Sequence, residues 1–233
     1  MNRVQHLLGL SSPPIAVAFL DAPPEGVRKW EMGAAPAGCA FWRQAMKGET
    51  FYTVAGDHHN CAVGSYTHNI ALPPERAKEL EETVGFMVAN HYLDMKEVPG
   101  IPVWSRPPQV VAYGPEGQTS FNADAVIVAA PPASAMLLYE AAIRAGAGGA
   151  LANVLGRPGC AVLPLVEKTG ALSLSFGCKG NRTFVGLPDS DIYVALPARH
   201  WAAIAKELEV VISANHAMGQ YYQSKKSQFP ILN

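Results

Sequence analysis

Two short apolar runs, each followed by a double proline, constrain this chain more than any other feature. Ile15–Leu20 is followed by Pro23-Pro24, and Ala125–Ala130 runs directly into Pro131-Pro132. Apolar runs of this length without alternation read as strands buried on both faces. Proline has no N–H to give to a ladder, so each run ends where its prolines begin. Strands covered on both sides need helices to cover them, which makes the fold class α/β. Val110–Tyr113 and Ile192–Leu196 are further strand candidates. Ser134 is placed to cap a helix running to about Arg144, with Gly146 as its stop. Two longer helices follow from 3.6-residue spacing. One carries Ala77, Leu80, Val84, Met87, Val88 and His91 on one face. The other carries Trp201, Ile204, Leu208, Val211, Ile212 and Asn215. Pro73-Pro74 and Pro197 stand near their starts, and both helices are expected to pack on a sheet.

The two strand runs are part of a wider self-similarity. Gly38-Cys39-Ala40 with Lys47 is matched by Gly159-Cys160-Ala161 with Lys168, at the same spacing. A second cysteine and a glycine follow in each half, Cys61 with Gly64 and Cys178 with Gly180. Ala77–Glu81 is repeated as Ala205–Glu209, and Ala89-Asn90-His91 as Ala214-Asn215-His216. The expected architecture is therefore two similar lobes from an internal duplication, each a small sheet with packed helices. The first lobe would span 1–98 and the second 105–233, in one compact unit. The Pro-rich stretch from Pro99 to Pro108 would join them.

Composition narrows the classes of function. Lys plus Arg number 18 against 19 for Asp plus Glu, and no long basic block is present, so nucleic acid is not an expected partner. Hydrophobic residues make up 49% of the chain and charged residues 16%, which does not fit disorder. No apolar run reaches the roughly 20 residues of a membrane span, and the first residues lack the apolar core of a secretory signal. A cytoplasmic protein without a membrane partner is the expectation, with self-association left open. In that compartment four cysteines are free thiols or metal ligands before they are disulfides.

Those cysteines, Cys39, Cys61, Cys160 and Cys178, carry the chemistry expected here. None forms the tight Cys-x2-4-Cys pair of a zinc knuckle, nor the closely spaced run of a small ferredoxin. A four-thiolate site would have to be assembled by the fold, two cysteines from each half. Iron–sulfur clusters are the soft-ligand cargo best suited to dispersed thiolates, although four unrelated buried cysteines would leave the same pattern. Asp57-His58-His59-Asn60-Cys61 adds two histidines beside one cysteine, and Gly177–Arg182 adds Lys179 and Arg182 beside another. His58, His59, Lys179 and Arg182 are thus the candidate catalytic side chains, and the four cysteines the candidate cluster ligands. His68 sits past Cys61, and His6, His91, His200 and His216 read as surface or packing residues. Gly146-Ala147-Gly148-Gly149 follows a helix instead of opening one, so nucleotide-loop mechanics are absent.

Several blocks are similar to one prokaryotic family. Pro14–Phe19, Cys39-Ala40, His59–Gly64 and Gly177–Arg182 resemble the signatures of domain-of-unknown-function family 169. So does the ending with Ala214-Asn215, Tyr221-Tyr222 and Phe229. The resemblance runs over nearly the whole chain and implies a stand-alone intracellular protein in which the cysteine blocks matter. The leading expectation is one 4Fe–4S cluster on the four cysteines, serving electron transfer or conversion of a small molecule. Its partner would be a redox protein or a small-molecule substrate. The alternatives are a module binding a small molecule or tetrapyrrole between the lobes, and an enzyme with a thiolate nucleophile.

Overall fold

The computed structural model describes residues 2–148, 154–155, 157–226 and 228. Gly149 and Phe229 lie outside them. The fold is α/β, built on one mixed sheet. Its strands are β1 (Ile15–Leu20), β2 (Arg28–Lys29), β3 (Phe51–Val54), β4 (Val110–Pro115), β5 (Ala125–Ala130), β6 (Val154–Leu155), β7 (Ser173–Ser175) and β8 (Ile192–Pro197). They lie in the order β2-β3-β4-β1-β5-β8-β7-β6. β1 and β5 meet antiparallel at the centre, with Ala16 opposite Val126 and flanking pairs Ile15–Ile127 and Val17–Ala125. Among the described residues only the outermost pairs, β2–β3 and β6–β7, are parallel.

The central strands are buried on both faces, as their unbroken apolar sequences require. Side chains of a strand alternate, so each strand feeds two cores. On one face Ile15, Val17, Phe19, Tyr113, Ile127 and Tyr193 pack against α2 (Ala40–Met46) and α7 (Val162–Thr169). Phe41 and Trp42 of α2 are wholly buried there, each worth about 1.5–3 kcal/mol or more of transfer free energy. On the other face Val126, Val128, Val194 and Leu196 pack against α6 (Pro132–Arg144) and the first half of α8 (Trp201–Lys226). The short α1 (Arg3–Leu8) adds Val4 to that core. From Ser213 to the end of α8 every residue is exposed.

Several expectations need correction. The described strands do not form two separate small sheets but one continuous sheet of eight. The Pro-rich stretch at 99–108 leads into β4, which pairs with β1 and β3 of the same sheet. α6 starts at Pro132 rather than at a Ser134 cap, because proline suits the first helical position. Ser134 Oγ donates instead to the Leu8 carbonyl at 3.4 Å. The two long helices are not counterparts: α5 (Pro74–Ala89) lies between β3 and β4, whereas α8 follows β8. Nor does α5 pack on the sheet, since none of its residues is fully buried. It lies beyond α4 (Ala62–Thr67), over the site described next. Among the described residues no helix is long and apolar enough to cross a membrane.

Candidate cysteine-lined site

All four cysteines stand at the start of a helical turn. Cys39 immediately precedes α2, and Cys61 immediately precedes α4. Cys160 lies in the tight turn Gly159–Ala161 that opens into α7, and Cys178 lies three residues before the π-helical turn Asn181–Val185. All four line one cavity of about 430 Å3. None is in a disulfide; Cys39 and Cys160 are buried, Cys61 and Cys178 half-buried. Each thiol lies within electrostatic reach of the other three.

That mutual reach has a direct chemical consequence. Burial, with the neighbouring Cys61 and Cys178 adding to it, pushes the Cys39 thiol up to about 12. Burial raises Cys61 as well, and it raises Cys160 well above the ordinary thiol range. Negative charge on any one sulfur opposes charge on the rest, so only a cationic occupant would let all four ionise together. Polar donors are nevertheless aimed at the sulfurs. The Gly38 and Gly64 amides favour the Cys61 thiolate, and the Asn181 side chain favours that of Cys39. Thr67 Oγ1 lies 3.3 Å from Cys160 Sγ. Asn181 Oδ1 accepts from the Cys178 amide at 2.8 Å and so closes the Cys178 loop on itself. Gly64 allows the closest approach: a Cβ there would stand 2.8 Å from Cys61 Sγ.

The other candidates divide. Lys179 lines the cavity. His58 does not; it ends the short helix α3 (Ala55–His58) and is wholly buried on the core side. The Thr53 hydroxyl donates to the Val111 carbonyl at 3.0 Å. His58 Nε2–H therefore donates to Thr53 Oγ1 at 2.8 Å, leaving Nδ1 a bare acceptor. His59 is half-buried, with Nε2 unpartnered, and does not line the cavity either. Arg182 is committed elsewhere: its guanidinium donates to the carbonyls of Phe176 at 2.7 Å and Pro188 at 2.6 Å, and pairs with Asp189 at 3.2 Å. It clamps the Cys178 loop and is not presented to the cavity.

Four contributors were missed from sequence. His68 is fully buried, its ring 6.1 Å from that of His58, and burial holds it down to about 4. Thr67, Asn181 and the inner face of α5 complete the set. Only Asn181 carried a signal, its place inside the Gly177–Arg182 block. Among the described residues no three His, Cys, Asp or Glu side chains converge closely enough to hold a single metal ion.

A family model described as uncharacterised ArCR, domain-of-unknown-function family 169, matches residues 3–207. The chain belongs to that family. No curated protein and no solved structure matches it.

Proposed function

We propose that this family-169 chain is an iron–sulfur protein, with Cys39, Cys61, Cys160 and Cys178 holding one 4Fe–4S cluster for a redox role. The observation that carries the reading is the convergence of four thiols, from four separated loops, on one cavity in which each feels the other three. Ligands that stand around a cavity rather than touch one another suit a cluster, where each thiolate takes its own iron. They do not suit a single ion, which agrees with the absence of any tight ligand group among the described residues. The donors at Gly38, Gly64, Thr67 and Asn181 support the same reading, because hydrogen bonds to sulfur tune a cluster's potential. Bound there, a cluster supplies one-electron exchange. The protein's own groups would exclude water, through the Phe41 and Trp42 core, and hold the sulfurs in place. A thiolate nucleophile suits the site less well, since three of the thiols are held above their ordinary range and so stay neutral.

We also infer that the chain arose by internal duplication. Supporting this, the strand order reads the same from either edge when β1–β4 are matched to β5–β8. The β1–β5 pairing is self-complementary about Ala16 and Val126. Cys39 and Cys160 both fall between the second and third strands of their halves, and Cys61 and Cys178 both follow the third. A cluster would then take equivalent cysteines from both halves.

Anaerobic purification with iron and sulfide analysis tests the cluster. The expected product is brown, with broad absorption near ~400 nm and iron equal to sulfide. Replacing any one of the four cysteines by serine should lower both contents together. A colourless protein that takes up no iron on anaerobic reconstitution would end the reading.

A further inference from the structure

The cavity is larger and more apolar than four sulfurs require. At about 430 Å3 it falls within the usual range of small-molecule pockets, roughly 300–1,000 Å3. The four cysteines line it. So does the inner face of α5, where Leu80, Val84 and Met87 recur at i, i+4 and i+7, half-buried. That stripe joins none of the apolar cores of the sheet; what it faces is the cavity. Phe184, 53% exposed, lines the cavity beside the Cys178 loop.

Few charged groups line this space, and most are already engaged. Arg157 stacks over the Tyr92 ring at 5.0 Å and pairs with Glu97 at 3.5 Å. Glu79 is bridged to Arg76 at 2.5 Å. Among the described residues no carboxylate lies within ion-pair distance of Lys179, whose amide N–H donates to Tyr92 Oη at 3.2 Å and fixes the backbone there. An apolar cavity with one uncommitted cation at its edge is complementary to an apolar body bearing one negative charge.

We propose that the space between the cysteines and α5 binds a small apolar monocarboxylate. Its hydrocarbon lies against Leu80, Val84, Met87 and Phe184, and its carboxylate sits at Lys179. The orientation rests on the cluster reading: a cluster held by four thiolates is anionic and repels a carboxylate, so the apolar end faces the sulfurs and the charged end the Lys179 ammonium.

Calorimetric titration of the anaerobically purified full chain with octanoate, and with octan-1-ol as its uncharged counterpart, tests this. Octanoate should bind at one saturable site, roughly five- to tenfold tighter than octanol. Lys179→Met should bring octanoate down to the affinity of octanol, and Val84→Asp should abolish both. Because α5 contributes no fully buried residue, V84D should keep the parent circular dichroism and melting; Phe184→Ser, on another wall, gives the same readout should V84D not fold. Absence of saturable binding, equal affinity for both probes, or an unaltered preference in K179M overturns the proposal. Iron analysis of the same samples separates the two readings. Iron-free protein that still binds octanoate at Lys179 overturns the cluster alone, and iron-loaded protein that does not bind it overturns the carboxylate site alone.

Discussion

At the scale of single residues the site depends on atoms that have no room to move. A methyl group at Gly64 would meet Cys61 Sγ at 2.8 Å, and one at Gly159 would meet Asn181 Oδ1 at 2.1 Å. Gly159→Ala should therefore displace Asn181 from the Cys178 amide and loosen two cysteine loops at once. The expected outcome is a loss of about 1–3 kcal/mol in stability, read by urea titration, with iron content below that of the parent. His68 gives a pH signature with a definite sign. Its folded value lies near 4, against 6.5 for a free imidazole. The unfolded chain binds the proton first, so His68 favours the fold above about pH 6.5. That contribution is lost as pH falls toward 4, in all by about 3 kcal/mol. His58, held down by burial and by its histidine neighbours, acts in the same direction. His68→Asn should flatten this acid limb in denaturant titrations between pH 7 and 4. A limb as steep as the parent's would assign the loss to other groups.

Among the elements, α5 and α2 mark opposite extremes. α2 drives Phe41 and Trp42 to zero exposure between the sheet and the Cys178 loop. Phe41→Ala should cost about 3–5 kcal/mol, since a cavity there is closed in by Trp30, Phe51 and Tyr113. α5 runs sixteen residues without one fully buried side chain and touches chiefly α4. Its amides should exchange with deuterium far sooner than those of β1 or β5, at an opening free energy well below the global value. Octanoate should slow α5 selectively and leave the strands unchanged. Protection of α5 equal to that of the central strands would contradict this description of the helix.

For the whole molecule, the apolar runs were the most legible part of the sequence. Ile15–Leu20 and Ala125–Ala130 sit at the centre of the sheet because only buried strands tolerate six such residues in succession. Sequence could not show that they pair with each other, since pairing is decided by register and twist rather than composition. The helix words at Ala77–Glu81 and Ala205–Glu209 misled because helix-forming residues recur wherever helices do. At the site, the cysteines and Lys179 were legible by residue type. His58 and His68 were not, because a histidine's burial depends on the elements packed around it, here Phe19, Phe41 and Trp104. The spread of the four cysteines has a further consequence, one of chain connectivity. Cys39 and Cys178 are separated by more than half the chain, with Cys61 and Cys160 between them, so a shared occupant would close three successive lengths of polymer into loops. Loop closure removes entropy from the unfolded chain, and binding at such a site becomes folding free energy. The iron-loaded protein should melt several degrees above the chelator-treated one. A ribosome-bound fragment ending before Cys160 should be unable to retain iron, however well its own strands have formed.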